Sequence, residues 1–125
     1  MTTKPLMVVE DNPINGKVIR LLLTNAGYDV RLISDAEEAL RTLETWQPRL
    51  ILMDIQLPGM DGLELTRLLK SNSKTCAIRI VALTAYAMKG DEAKALAAGC
   101  DGYISKPIDF QTCLEQVALH WAATA

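Results

Sequence analysis

Five short apolar runs alternate with five stretches of helical period, and this alternation constrains the chain more than any other feature. Leu6-Met7-Val8-Val9 is apolar throughout, as a strand covered on both faces must be. Asn12-Pro13 then offers an N-cap and a first-turn proline, and Ile14, Val18, Leu22 and Ala26 recur on one helical face before Gly27. Asp29-Val30-Arg31-Leu32-Ile33 mixes polar with apolar residues, the mark of an edge strand. Ser34-Asp35-Ala36-Glu37 has capping-box spacing and opens a helix with Ala36, Leu40 and Leu43 inward. Leu50 to Met53 forms a third strand ending at Asp54, and the turn-rich tract Gln56 to Gly62 leads to a helix carrying Leu65, Leu68 and Leu69. Ile78 to Leu83 is a fourth strand running into Thr84, and a helix over Asp91 to Ala98 stops at Gly99. Gly102-Tyr103-Ile104-Ser105 is a short fifth strand, followed by Lys106-Pro107. A final helix sets Phe110, Cys113, Leu114 and Val117 on one face.

Strand–helix units repeated in this way predict an α/β fold: a flavodoxin-like, doubly wound, five-stranded parallel sheet of order 2-1-3-4-5 with helices on both faces. With 125 residues the chain can bury one core and not two, so residues 1–125 read as one domain. No apolar run approaches a membrane span, and no basic leader precedes the first strand, which predicts a cytoplasmic protein without membrane insertion. Three cysteines without CxxC spacing fit reduced, mostly buried thiols. A net charge of −2 with no basic block argues against nucleic acid as a partner.

The polar residues gain meaning from where the strands end. Glu10-Asp11 follows the first strand, Asp54 ends the third, Thr84 ends the fourth and Lys106 follows the fifth. In a parallel sheet these ends point the same way, and ligands bind outside them where the strand order reverses, here between strands one and three. Three carboxylates gathered there would repel one another unless a cation sat among them. Oxygen ligands in a small, open site suit Mg²⁺, with Mn²⁺ as a substitute. Asp11 and Asp54 would be direct or near-direct ligands, Glu10 a water-mediated one and the Gln56 backbone carbonyl another. Such a site suits phosphoryl transfer, with Asp54 as nucleophile and Thr84 and Lys106 each holding a phosphoryl oxygen.

Four strings carry a resemblance: Val9-Glu10-Asp11-Asn12, Met53-Asp54 through Pro58-Gly59-Met60-Asp61-Gly62, Ala82-Leu83-Thr84-Ala85, and Tyr103-Ile104-Ser105-Lys106-Pro107. Together, in order and at the strand ends, they resemble the receiver domains of two-component response regulators over essentially the whole chain. The resemblance implies that Asp54 is the phosphorylation site, Glu10 and Asp11 the acidic metal pair, Thr84 the switch hydroxyl and Lys106 the phosphate-contacting lysine. It also implies a cis bond before Pro107, an inward turn of Tyr103 on activation, a changed surface over the fourth helix, fifth strand and fifth helix, and tuning of phosphoryl loss by Gln56 and Tyr86. The partners implied are a histidine kinase or histidine phosphotransfer protein and a downstream protein target; phosphorylation-dependent dimers are compatible with it. It implies a switch that assists its own phosphorylation rather than an enzyme with independent turnover. A stand-alone regulator and a receiver taken from a hybrid histidine kinase both remain open.

Two rivals are weaker. A haloacid-dehalogenase-type phosphohydrolase also uses an aspartate after a strand, but needs a second acid two residues on, where this chain has Gln56. A flavodoxin must cradle a phosphate after the first strand, where Glu10-Asp11 would repel it. No GxGxxG or Walker-type loop supports nucleotide binding. His120 reads as structural or surface; Trp46, Trp121 and the methionines read as packing.

Overall fold

A computed structural model describes residues 4–57, 59–84, 91–105 and 109–124, at residues 84, 91 and 92 by backbone alone. Its elements are β1 (Pro5–Val9), α1 (Pro13–Asn25), β2 (Asp29–Ile33), α2 (Ala36–Leu43), β3 (Leu50–Asp54), α3 (Gly62–Ser71), β4 (Arg79–Thr84), α4 (Asp91–Ala98), β5 (Gly102–Ser105) and α5 (Phe110–Ala122). The strands form one parallel sheet in the order β2-β1-β3-β4-β5. The predicted order and the edge position of β2 are both observed.

Strand alternation divides the core in two. Met7, Val9, Ile51, Met53, Ile80 and Ala82 face the layer of α2, α3 and α4. Their neighbours Leu6, Val8, Leu50, Leu52, Val81 and Leu83 face α1 and α5. Both faces of the three central strands are therefore apolar, which leaves polar side chains only at strand ends. That restriction is what concentrates chemistry at one edge of the sheet.

Four local expectations need correction. In α1 the buried residues are Gly16, Ile19 and Leu23, whereas Ile14 is 74% and Val18 40% exposed and Ala26 lies at the surface. Leu22 is only partly buried. Gly16 admits the Leu32 side chain of β2 where a Cβ would crowd it, on the same side of α1 as the buried Ile19 and Leu23. In α2 the cap is Asp35 rather than Ser34. Asp35 accepts from the Glu38 amide at 2.8 Å, and the Ser34 hydroxyl donates to the Glu38 carboxylate at 3.0 Å. Ala36 and Leu43 are buried and Leu40 packs against the core, as expected, with Ala39 added. In α5, Cys113 and Val117 point inward with Leu114 beside them, but Phe110 is exposed in the first turn. Leu68 of α3 is likewise exposed.

Aromatic residues pack against both halves of the core. Tyr28 meets Trp121 edge-to-face at 5.3 Å, Arg49 lies 5.0 Å over Trp121, and Arg31 lies 4.4 Å over Trp46. These contacts bear out the packing role expected for both tryptophans.

Candidate phosphoryl and metal site

The register between β1 and β3 builds the site. Val9 pairs with Met53, so the residues that follow, Glu10 and Asp11 on one side and Asp54 on the other, emerge together. One carboxylate oxygen from each lies within 4.8 Å of those of the other two. Glu10 and Asp54 are each 2% exposed, while Asp11 is open to solvent. The cleft thus holds two enclosed carboxylates and one at its mouth.

Backbone amides fix the acids. The Gln56 amide donates to Asp54 Oδ1 at 2.9 Å, and the Asn12 amide donates to Glu10 Oε1 at 3.2 Å. The Glu10 amide donates to the Ile33 carbonyl and the Ile55 amide to the Leu83 carbonyl, which extends the ladder one step past the strands on both sides of the site. Asn12 then caps α1 by accepting from the amides of Ile14 and Asn15, so the helix starts at the lip of the cleft. Across β3, Asp54 is level with Leu83, and Thr84 follows it at the end of β4, paired with Ser105.

Two buried, amide-held carboxylates beside a third, all offering oxygen, are the donor set of a hard divalent cation. The residues present fit such an ion. Of the residues expected at the site, the structure unites Glu10, Asp11 and Asp54, with Gln56 touching Asp54 through its amide. The Thr84 side chain, Tyr86, Lys106 and the bond before Pro107 lie outside the described residues. Tyr103 is half-buried, packs against the core face of α2–α4, and lines a groove of about 520 Å³ between α4, β5 and α5.

One residue escaped the sequence reading. Gly62 opens α3 with its bare Cα against the backbone of Asp54 and Ile55. Its signal was there: a glycine directly after the capping Asp61, at a helical position where glycine is otherwise unfavourable.

His120 is buried, as the structural reading expected. Its Nδ1 accepts from Arg79 Nε at 3.3 Å, and its ring rests on Gly102, where any Cβ would collide with it.

A model of the response regulator receiver domain matches residues 6–118. The polar-differentiation response regulator DivK of Brucella ovis is 44% identical over 115 residues, which span 92% of this chain and 94% of that protein. Among solved structures, the receiver domain of sensor histidine kinase PA1611 from Pseudomonas aeruginosa superposes with a TM-score of 0.85 at 36% identity, covering 96% of this chain and 98% of that one. That structure has a magnesium ion coordinated in its active-site cleft. A CheY-like receiver domain protein from Methanospirillum hungatei gives a TM-score of 0.89 at 28% identity, over 98% and 97% of the two chains. No helix among the described residues is long and apolar enough to cross a membrane.

Proposed function

The chain belongs to the response regulator receiver domain family, and from that membership we propose that Asp54 is its phosphoacceptor, served by Mg²⁺ at the Glu10–Asp11–Asp54 cluster. The observation that carries this reading is the convergence of those three carboxylates at the switch point of the sheet. As a receiver it acts as a phosphorylation-controlled switch in two-component signalling rather than as an enzyme turning over a separate substrate.

A carboxylate oxygen of Asp54 attacks phosphorus. A new O–P bond forms, and the bond from phosphorus to the donor breaks, with the electron pair leaving on the donor's imidazole nitrogen or acyl oxygen. The ion, when bound, supplies positive charge to the transferring phosphoryl oxygens. Asp11 and Asp54 would hold it through their carboxylates, the Gln56 carbonyl would add another oxygen, and Glu10 would act through a water. The Gln56 amide, bound to Asp54 Oδ1, keeps the carboxylate from rotating before attack. Thr84 and Lys106 each hold one phosphoryl oxygen, an assignment that rests on their places at the ends of β4 and β5.

The donor is a phosphohistidine on a histidine kinase or phosphotransfer protein, and it has to bring its ring to the mouth of this cleft. Ile14, Val18 and Leu21 expose an apolar stripe on α1 at i, i+4 and i+7, beginning two residues after Asn12 at the cleft lip. This stripe is the donor's docking surface. On phosphorylation Thr84 moves toward the phosphoryl group, Tyr103 turns inward, and the groove between α4, β5 and α5 changes shape for a downstream protein target. Incubation with acetyl phosphate and Mg²⁺, followed by intact-mass measurement, tests the reading. One added phosphoryl group that Asp54→Asn abolishes is the expected result.

A further inference from the structure

The β3–α3 connection is unusually tight where it passes behind Asp54. A Cβ built on Gly62 would overlap the Asp54 carbonyl oxygen, come within 2.7 Å of the Ile55 Cα and lie 3.0 Å from the Asp54 carbonyl carbon. All three are backbone atoms, so nothing there can swing aside. Space alone requires glycine, because the positive-φ glycines are Gly27, Gly59 and Gly99 and not Gly62. The same residue is tied down from both sides. Its amide donates to the Ile55 carbonyl at 3.2 Å, and its carbonyl accepts from the Thr66 hydroxyl at 2.7 Å. Thr66 is wholly buried, and its hydroxyl also receives the Cys100 thiol at 3.8 Å.

We propose that Gly62, steadied by Thr66, is a positioning residue for phosphoryl transfer. The missing side chain lets the first turn of α3 seat directly on the Asp54 carbonyl, and this contact sets where β3 ends. It therefore sets where the Asp54 carboxylate stands relative to Glu10, Asp11 and the incoming phosphorus. The inference deepens the phosphoacceptor reading and rests on it. Displacing a reacting group by about 1 Å can cost on the order of 100-fold in rate, and an alanine methyl at Gly62 has no direction to go except by pushing Asp54 and Ile55.

The test compares initial rates of phosphoryl gain by intact mass, at saturating acetyl phosphate and Mg²⁺, with thermal melts run on the same samples. A defect of folding alone lowers the fraction that ever becomes phosphorylated. A defect of positioning lowers the rate constant of the folded fraction. Gly62→Ala is expected to lose about 10- to 100-fold in that rate constant. Gly59→Ala serves as the control, since its φ of 76° strains an alanine while nothing lies within 4 Å of the added Cβ; its rate constant is expected to match wild type even where its melt falls. If Gly62→Ala proves too unstable to assay, Thr66→Val carries the test, with a several-fold slower rate that Thr66→Ser recovers by keeping the hydroxyl. Wild-type rate constants in Gly62→Ala or Thr66→Val, or equal slowing in Gly59→Ala, overturn the inference while leaving the phosphoacceptor reading standing. A wild-type chain that gains no phosphoryl group overturns the reading itself.

Discussion

Val9 stands in register with Met53, and this one rung of the sheet sets Glu10 and Asp11 beside Asp54. The acids come from distant stretches of chain, yet strand pairing leaves them little freedom to be elsewhere. The site is thus a consequence of the core: the apolar runs that bury β1 and β3 fix the positions of the residues that end them.

Carboxylates within 4.8 Å of one another repel, and a shared cation relieves that repulsion. Asp11→Asn removes one charge from the cluster and should melt a few degrees above wild type in chelator, on the scale of about 4 °C per kcal/mol for a domain this size. Saturating Mg²⁺ should raise the wild-type melt, as any ligand of the native state does, and raise that of Asp11→Asn much less. Titration should show Mg²⁺ affinity lower by at least about 10-fold in the variant. Equal responses of the two proteins to Mg²⁺ would contradict the metal assignment.

The docking proposed for α1 predicts that protein donors and small ones respond differently to changes in its exposed stripe. Val18→Asp and Leu21→Asp place a charge in the exposed stripe without touching the core. Each should raise the KM for a histidine phosphotransfer protein by about fivefold or more, the scale of one contact worth about 1 kcal/mol. The rate with acetyl phosphate should not change. Loss of both activities together would point to damage at the site instead.

His120 gives the fold an acid-sensitive joint. Burial lowers its pKa below the ordinary 6.5, the Arg79 charge lowers it further, and Asp101 opposes them. The unfolded chain therefore takes up the proton first. Stability should be whole above the unfolded pKa and fall as pH drops through 6.5 toward the folded value, with no further loss from this group below it. Denaturant unfolding from about pH 8 to 5 should show this slope, and His120→Gln should flatten it. An unchanged slope in the variant would assign the acid loss to other groups.

Thiol reactivity reports the core. Cys76 is exposed, whereas Cys100 and Cys113 are buried, and burial pushes the Cys113 thiol up to about 11. A thiol reagent at neutral pH should modify Cys76 quickly and the other two only as the protein opens. Rapid labelling of all three would contradict the packing of α5 on the sheet.

Much of this was legible because strands covered on both faces leave little choice: an apolar run is a strand, and a polar residue at its end faces the ligand edge. Glu10, Asp11 and Asp54 were found in that way. Helix faces were harder to read. Ile14 and Val18 are as apolar as Ile19 and Leu23, yet it is Ile19 and Leu23 that turn inward, on the side where Gly16 meets Leu32. An apolar residue kept for a partner looks the same in sequence as one kept for the core. Ser34 and Asp35 are both competent caps, and the choice fell to Asp35 where β2 ends at Ile33. Phe110 sits one residue after the capping Asp109, too early in α5 to reach the sheet. The glycine after the capping Asp61 marks the position of Gly62, but its close approach to the Asp54 backbone is visible only in three dimensions.

The most direct test of the central claim is intact mass after incubation with acetyl phosphate and Mg²⁺, on wild type and Asp54→Asn side by side. The account predicts one added phosphoryl group on wild type, none on Asp54→Asn, and none on wild type in excess chelator. A wild-type mass that stays unchanged, or an Asp54→Asn chain that gains the group as fast as wild type, would contradict it.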